Sequence, residues 1–486
     1  MPEIFINGQA VQAGDDQTVM QVARANGIFI PYFCWHPNLS VPGNCRICVV
    51  EVEGDGGGNG WLDIACNMPV SKGMRVHTDS DKVRERRKAT LQFVTLNHPV
   101  DCGICDKAGE CTLQDYHYQY NGEPSISRDA KVHATKHYAL SERIVLDNER
   151  CILCTRCVRF TREISKTHSL GVIDRGDHSL IRPTEDGAFE NDPYSDNVTD
   201  ICPVGALLPT QFLHKARVWY LKPTAQVCPG CARGCSIDLW HRKSEWKLKA
   251  LDAKQNARID RVTPRENAAV NGPWVCNKAR DLAQHFERAR ALQPLLKGRP
   301  VEQAVALEQA RQLIKSARNA VALVSNWASN EELAAFATHV APHFACRVKV
   351  DCQPEPGEVV QDDILIRADK NPNTAGARAR FQALPDDARR AFAADCDLVL
   401  VWGEGFNFAQ LPPKARIIYL NSWLQPENGH ADVFLPISVQ TERAGTYTNF
   451  QGVVSAFEPC FAKPAEVADA EAVFAALAVK AAKVTA

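Results

Sequence analysis

The sequence predicts a multidomain protein in which small, cysteine-rich α+β domains precede an α/β domain with a parallel sheet. Its 486 residues exceed the size at which one hydrophobic core stops growing. Fifteen of the nineteen cysteines lie within the first 276 residues. Beyond residue 276, alanine-rich helical patterns alternate with short apolar runs, a pattern typical of strands buried in a parallel sheet.

Composition excludes several classes of function. Lys and Arg total 56 and Asp and Glu total 57, so no charge imbalance indicates nucleic acid or an anionic membrane surface. The first residues, Met1 to Ile6, carry no secretion signal, and no run of eighteen apolar residues occurs. We therefore expect reduced thiols, protein partners, and a bacterial cytoplasmic location with membrane contact only through partners. A processed organellar protein is the alternative.

The N-terminal elements are read from turn signals and periodicity. Ile4 to Ile6 predicts a strand, and Asn7-Gly8 supplies the positive φ angles of a tight hairpin. Val19, Val22 and Ala23 then share one helical face, which Asn26-Gly27 ends. A hairpin, a helix and a loop with three cysteines resemble the β-grasp domain of [2Fe–2S] ferredoxins, although the first cysteine gap is longer than in the plant-type pattern.

Sixteen residues sort into four sets of four candidate ligands. The first set is Cys34, Cys45, Cys48 and Cys66, and the second is His98, Cys102, Cys105 and Cys111. The third set is Cys151, Cys154, Cys157 and Cys202, and the fourth is Cys228, Cys231, Cys235 and Cys276. Soft thiolates match iron, and a closely spaced trio with one remote ligand wraps an iron–sulfur cluster. The sequence thus indicates an electron carrier.

Each set has an alternative interpretation. A zinc site or scattered core thiols would explain the first set, and a zinc ribbon would explain the fourth. The alternative for His98 is an ordinary polar residue. Three cysteines leave one ligand position of a cube open, however, so the ligand count favours His98 as the fourth ligand. The third set, with Pro203 after its remote cysteine, has the bacterial ferredoxin pattern for one [4Fe–4S] cluster. Because imidazole replaces a thiolate, His98 ligation should raise the reduction potential.

The remaining segments give coarser predictions. Asp81 to His98 predicts an amphipathic helix whose arginines, including Arg87, form a solvated face, with a partner-binding surface as the alternative, while Leu96 belongs to the apolar face. A helix is predicted over Val158 to Ser165, and a glycine-rich surface loop over Gly54 to Gly60. Buried strands are predicted at Ala320 to Val324, Leu398 to Trp402 and Ile417 to Leu420. The four cysteines without ligand spacing, Cys346, Cys352, Cys396 and Cys460, are expected to be buried reduced thiols.

Taken together, these sets resemble the large iron–sulfur subunit of proton-pumping NADH:quinone oxidoreductase. The first three sets match that family's succession of one [2Fe–2S] and two [4Fe–4S] domains. The segment from Cys228 to Trp274-Val275-Cys276 resembles the N-terminal cluster domain of molybdopterin oxidoreductases, and the stretches Ser329 to Glu332, Ala431 to Pro436 and Gly445 to Asn449 are similar to the same superfamily.

The resemblance implies five domains: a β-grasp [2Fe–2S] domain at 1–80, a His/Cys-ligated [4Fe–4S] domain at 81–140, a four-cysteine [4Fe–4S] domain at 141–220, a molybdopterin-oxidoreductase-type [4Fe–4S] domain at 221–278, and a molybdopterin-oxidoreductase-like domain at 279–486. It implies one [2Fe–2S] and three [4Fe–4S] clusters that relay electrons from NADH toward quinone. The implied partners are an FMN- and NADH-binding subunit, a small [2Fe–2S] subunit and other peripheral-arm subunits. No catalytic residue is expected in this chain.

One departure concerns length. About 210 residues follow Cys276, fewer than a molybdopterin enzyme uses to enclose its cofactor. We therefore expect a shortened, non-catalytic C-terminal domain without molybdenum, and by analogy a fourth cluster that lies off the electron path.

Three other functions remain open at this point. The first is that of a relay subunit in a soluble NAD-linked hydrogenase or formate dehydrogenase, because the same cysteine module resembles parts of those enzymes. The second is a molybdenum-dependent oxidoreductase, which conflicts with the length of the chain. The third is a structural zinc protein, which conflicts with the ligand spacing.

Overall fold

The computed structural model describes residues 2–54, 60–243 and 258–479. The chain divides into two compact units, Met1–Tyr220 and Leu221–Ala486. The predicted loop at Gly54 to Gly60 falls largely outside the described residues, although the strands on either side of it pair in antiparallel fashion.

The first unit combines short strands with short helices. Its strands are β1 Glu3–Ile6, β2 Gln9–Gln12, β3 Val49–Val52, β4 Trp61–Ile64, β5 Arg75–His77, β6 Tyr138–Ala139, β7 Ile144–Leu146, β8 Leu170–Ile173, β9 Leu180–Pro183 and β10 Leu207–Pro209. Its α-helices are α1 Val19–Ala25, α2 Asp81–Thr95, α3 Thr112–Tyr116, α4 Arg156–Glu163 and α5 Asn197–Ile201. A π-helical turn spans His117–Asn121, and 3₁₀ turns span Gly176–His178 and Val218–Tyr220.

The first five strands form one mixed sheet in the order β2-β1-β5-β3-β4. Strands β1 and β2 form the predicted hairpin, in which Asn7 and Gly8 both have positive φ. Helix α1 begins with a capping box between Thr18 and Gln21 and packs its apolar face on the sheet. These are the elements of a β-grasp domain.

Helix α2 corrects the prediction for the basic segment. It ends at Thr95 rather than at His98, and Leu96 is exposed. Arg87 does not lie on a solvated face, because it is 2 % exposed and donates a hydrogen bond from Nη2 to the carbonyl oxygen of Val49 at 3.0 Å. Its guanidinium also stacks over the ring of Tyr120. The charge pattern therefore did not reveal that Arg87 is buried and hydrogen-bonds α2 to the sheet.

The rest of the first unit consists of two small antiparallel sheets and the helices that hold the third set. Strands β10, β7 and β6 form one sheet, and β8 and β9 form the other. Helix α4 begins at Arg156, two residues before the predicted start, and ends at Glu163. Cys202 caps the C-terminus of α5.

The second unit contains a three-stranded antiparallel sheet followed by a large α/β layer. Its strands are β11 Leu221–Val227, β12 Ser236–Arg242, β13 Ile259–Pro264, β14 Leu295–Leu296, β15 Arg299–Pro300, β16 Ala320–Val324, β17 Ala345–Val348, β18 Gln382–Ala383, β19 Leu398–Trp402, β20 Arg416–Asn421, β21 Val433–Pro436, β22 Gly445–Thr448 and β23 Val454–Phe457. Its helices are α6 Asn277–Arg280, α7 Leu282–Phe286, α8 Gln303–Ser316, α9 Asn330–His339, α10 Thr374–Arg378, α11 Glu427–His430 and α12 Ala470–Leu477, with 3₁₀ turns at Ala341–His343, Ala388–Ala391, Phe408–Gln410 and Gln440–Glu442.

The predicted parallel sheet is confirmed. Eight strands follow the order β15-β14-β21-β20-β19-β16-β17-β18, and all neighbours from β21 to β18 are parallel. Strand β19 has no exposed face, because Leu398, Leu400 and Trp402 enter one core while Val399 and Val401 enter the other. Burial on both faces explains why this strand reads as an unbroken apolar run.

The prediction for the four remaining cysteines holds only in part. All are free thiols, and Cys396 and Cys460 are buried. Cys346 and Cys352 are only partly buried, since the first lies on a strand near the edge of the sheet and the second in the loop that follows.

Across the described ranges, no helix is long and apolar enough to cross a membrane.

An aromatic cluster stabilises the α/β layer, and its loss should be measurable. Phe336 of α9 is fully buried, with its ring centroid 5.3 Å from that of Trp402 and 5.1 Å from that of Phe474. Phe336→Ala should lower the free energy of unfolding by about 3–5 kcal/mol, because a large cavity forms in the core. Hydrogen exchange of the peptide that contains Leu398–Trp402 measures this loss. The exposed control Leu424→Ala should change it little, and equal effects of the two variants would contradict the packing described.

Candidate metal centres

The first set lies in the loop between α1 and β3 and at the end of the β3-β4 hairpin. The backbone N–H of Cys34 donates to Sγ of Cys45 at 3.4 Å, and the thiols of Cys48 and Cys66 are hydrogen-bonded neighbours. The hydrogen bond from Cys45 lowers the pKa of Cys34 to about 6, whereas the hydrogen bond to Cys66 and burial raise the pKa of Cys48. The structure therefore brings together all four predicted residues of this set.

The second set occupies the irregular segment between α2 and α3. Cys111 is the N-cap residue of α3, and its neighbours Cys102 and Cys105 lie in the preceding turns. Burial raises the pKa of Cys111 to about 11, and the charge of Cys105 acts in the same direction. Cys105 in turn interacts electrostatically with Cys102, which is the exposed member of the set.

His98 has the features of a metal ligand in this segment. Its Nδ1 atom is buried without a hydrogen-bond partner. Burial lowers the pKa of His98 to about 4, so the imidazole is neutral near pH 7, the form that donates a lone pair to a metal. Asp101 and Arg150 act electrostatically on both His98 and Cys105, so the histidine and this thiol share two charged neighbours.

The third set surrounds a cavity whose empty volume is about 360 Å³. All four of its cysteines line this cavity. Leu153 and Thr155, between the cysteines of the trio, both have positive φ, a conformation that is uncommon for residues other than glycine, so the backbone of this loop turns sharply around the cavity. Burial raises the pKa of Cys151 to about 12 and of Cys154 to about 11, and the neighbouring thiols add to both shifts.

The fourth set lies in the second unit, at the turn between β11 and β12 and at the start of α6. The N–H of Cys228 donates to the carbonyl oxygen of Cys235 at 2.8 Å, and Cys276 is the N-cap residue of α6. Burial and the other thiols raise the pKa of Cys228 and Cys235 well above the ordinary range. The structure brings this predicted set together as well.

Clustered thiols disfavour one another's ionisation, because a thiolate raises the pKa of its neighbours, and a bound metal compensates this charge. All nineteen cysteines are free, so none of the candidate ligands is held in a disulfide. Within the described ranges, no three histidine, cysteine, aspartate or glutamate side chains are set to ligate a single metal ion. Iron–sulfur clusters spread their four protein ligands around several irons. Three of the sets offer four thiols each and the second offers three thiols and an imidazole, which are the donor types that hold such clusters.

Two arginines connect the first and third sets, and the sequence patterns did not reveal them. Arg159 donates from Nη2 to the carbonyl oxygens of Cys34 and Cys154, and from Nη1 to that of Ser40. Arg156 donates to the carbonyl oxygen of Trp35 at 2.7 Å and to that of Ile201 at 2.8 Å. Both side chains are buried. The sequence did contain one signal for them. Two arginines three residues apart lie on the same face of a helix, and these two fall within and just after the cysteine trio.

The second and third sets are also in direct contact. The N–H of Thr112 donates to the carbonyl oxygen of Pro203 at 3.0 Å, and Sγ of Cys111 lies 3.9 Å from the same oxygen. Gly205 approaches Cys105 so closely that a Cβ atom would overlap its sulfur. The residues that follow the remote cysteine of the third set therefore form one wall of the second.

Four family models match the chain, and each covers one set. A 2Fe-2S iron-sulfur cluster binding domain matches residues 2–81, and the NADH-ubiquinone oxidoreductase-G iron-sulfur binding region matches residues 87–124. The ferredoxin-like domain of NADH-quinone oxidoreductase subunit 3 matches residues 141–208, and the molybdopterin oxidoreductase Fe4S4 domain matches residues 221–288. The chain therefore contains 2Fe-2S and 4Fe-4S binding domains.

Similar proteins carry corresponding names. The G subunit of NADH-quinone oxidoreductase from Rickettsia prowazekii is 36 % identical over 281 residues, which are 58 % of this chain and 39 % of the relative. The NADH-ubiquinone oxidoreductase 75 kDa subunit of Reclinomonas americana is 33 % identical over 69 % of this chain and 47 % of its own length. The mitochondrial NADH dehydrogenase [ubiquinone] iron-sulfur protein 1 of Solanum tuberosum is 35 % identical over 61 % of this chain and 38 % of its own length.

The match is confined to part of these relatives, since it spans between 38 % and 47 % of the length of those three proteins. Among solved structures, an NAD+-reducing [NiFe]-hydrogenase in the H2-reduced state is similar at a TM-score of 0.40 and 28 % identity, over 45 % of this chain and 91 % of that one. Over its matched residues, the chain is similar to the G subunit of NADH-quinone oxidoreductase and to the 75 kDa subunit of NADH-ubiquinone oxidoreductase.

Proposed function

We propose that the chain is an electron-transfer subunit in the peripheral arm of a proton-pumping NADH:quinone oxidoreductase. The first set would hold one [2Fe–2S] cluster, and the second, third and fourth sets would each hold one [4Fe–4S] cluster. When bound, these groups supply one-electron redox chemistry. The chain's own residues ligate them, exclude water and set the electrostatic environment of each centre.

The observation that carries this proposal is the direct contact between the three sets of the first unit. Arg159 hydrogen-bonds to the carbonyl groups of Cys34 and Cys154, so one side chain touches the first and third sets. Thr112 and Cys111 contact Pro203, so the third set touches the second. A relay needs closely spaced centres inside protein, and this packing supplies that condition.

The relatives support the larger assembly, because their names are those of subunits of NADH-quinone and NADH-ubiquinone oxidoreductases. The proposed partners are the FMN- and NADH-binding subunit, the small [2Fe–2S] subunit and other peripheral-arm subunits. The chain would sit peripherally on the cytoplasmic side of the bacterial inner membrane and reach the membrane only through those partners. NADH oxidation and quinone reduction would take place in other subunits, so this chain would carry no active site of its own.

The assignment can be tested by purification of the tagged subunit from gently solubilised membranes of its host. We expect a large membrane complex that reduces quinone with NADH in an inhibitor-sensitive reaction. Recovery in a small soluble complex with a hydrogenase or formate dehydrogenase subunit would contradict the respiratory assignment while it preserved the electron-transfer role.

The ligand role of His98 predicts a specific change in potential. His98→Cys should keep the iron content of the protein and lower the midpoint potential of one [4Fe–4S] centre, because a thiolate adds negative charge. Redox titration followed by EPR measures this. His133→Cys is the matched control, since His133 is an exposed histidine of the same unit, and it should leave every potential unchanged. If His98→Cys leaves the midpoint potential unchanged and His98→Ala keeps its full iron content, another residue is the fourth ligand.

The charge of Arg159 should act on two centres at once. Arg159→Gln should lower the midpoint potentials of the first and third centres by tens of millivolts, where ~59 mV is a tenfold change in a one-electron equilibrium. Arg159→Lys keeps the charge and should restore most of both shifts, which a purely structural role would not produce. Arg162→Gln, on the exposed side of the same helix, is the control. Equal shifts in the Gln and Lys variants would contradict an electrostatic role.

A further inference from the structure

The parallel sheet of the second unit contains a second candidate site. Read from one edge, its parallel strands follow the order β18-β17-β16-β19-β20-β21, so the chain reverses direction across the sheet between β16 and β19. Ligands of such sheets bind beyond the carboxyl ends of the strands at this point. A cavity with about 560 Å³ of empty volume lies there, next to Ser325, Gly403, Asn421 and Ile437, which end or follow four of these strands.

The acidic residues that line the cavity already have partners. Glu332 pairs with Nη2 of Arg443 at 2.9 Å and accepts from the N–H of Ser329 at 2.8 Å. Asp351 pairs with Nζ of Lys349 at 2.7 Å. Each carboxylate is therefore neutralised by a neighbouring cation and accepts hydrogen bonds from the protein.

The carboxylate of Glu404 is also paired with a cation and hydrogen-bonded to the protein. Its two carboxylate oxygens accept from both terminal nitrogens of Arg288 at 2.9 and 3.0 Å, and Gln425 donates to it at 2.9 Å. The three acidic side chains of the cavity wall thus leave little uncompensated negative charge to repel an anion.

Several hydrogen-bonding groups in the same wall lack partners. Nε1 of Trp327, Oγ of Ser438, and Nε and Nη1 of Arg443 are buried without a hydrogen-bond partner, and all three residues line the cavity. Ser438 is only 2 % exposed. Buried polar groups are nearly always hydrogen-bonded, because one left unpartnered loses the hydrogen bonds that it makes to water in the unfolded chain. Three of these four atoms can only donate, so their missing partner is an acceptor.

We propose that this cavity binds a small oxyanion, held by the indole N–H of Trp327, the hydroxyl of Ser438 and the guanidinium of Arg443. The capping box of Ser329 and Glu332 already occupies N–H groups at the first turn of α9, so the donors left for a ligand in this cavity are the three side chains named. Phosphate and short carboxylates share the required chemistry. The site does not include the sixteen cysteine and histidine ligands and does not depend on the proposed electron transfer.

The test is calorimetric titration of the full cluster-loaded chain with inorganic phosphate and, separately, with acetate at constant ionic strength. We expect saturable binding of one ion per chain, and the tighter of the two ligands identifies the oxyanion class. Trp327→Phe and Ser438→Ala each remove one donor and should weaken binding about tenfold or more. Trp61→Phe and Ser316→Ala, at exposed positions, are the matched controls and should leave the affinity unchanged.

Two results would overturn the proposal. Absence of saturable binding of either ion at millimolar concentration would mean that water alone satisfies the unpartnered atoms. Binding that both cavity variants leave intact would place the ion elsewhere. Hydrogen exchange of the peptides around Trp327 and Ser438 checks that each variant is folded, and phosphate should protect these peptides in the unmodified chain.

Discussion

Two buried guanidinium groups, those of Arg156 and Arg159, join the loop of the first set to the helix of the third, and the first unit is arranged around them. Their described hydrogen bonds go to carbonyl and hydroxyl oxygens rather than to carboxylates. Burial lowers the pKa of Arg159, and negative charge on Cys154, Cys34 and Glu163 acts against that shift. Ionised ligands at the first and third sets and the buried guanidinium therefore stabilise one another.

This mutual stabilisation links the fold to the proposed chemistry. Burial raises the pKa of most of the candidate thiols, so ionisation needs compensation from a metal and from nearby cations. The peptide groups that hold the three sets are bonded to one another, as in the contact of Thr112 with Pro203. Displacement of one set would move its neighbour. Short strands and irregular loops suffice to support these sites because the ligands themselves are part of the packing.

The sequence predicted those features that depend on residues close together along the chain. The hairpin at Asn7-Gly8, the buried strand at Leu398–Trp402 and the clustering of each cysteine set follow from turn chemistry, apolar runs and spacing. It failed for side chains whose partners are distant along the chain. Arg87 bonds to a residue 38 positions away and Arg159 to one 125 positions away, and a charged side chain shows no pattern that distinguishes such burial from exposure. The unpartnered donors around Trp327 were likewise invisible, because the strand order alone brings them together.

We propose that sixteen residues hold four iron–sulfur clusters and that the three sets of the first unit are in contact with one another. The most direct measurement is a structure of the purified, anaerobically prepared protein with anomalous scattering recorded at the iron absorption edge. We expect four iron clusters, one at each set, with His98 bound to the second and Arg159 between the first and third. Iron absent from any set, zinc in its place, or a second centre ligated without His98 would contradict this assignment.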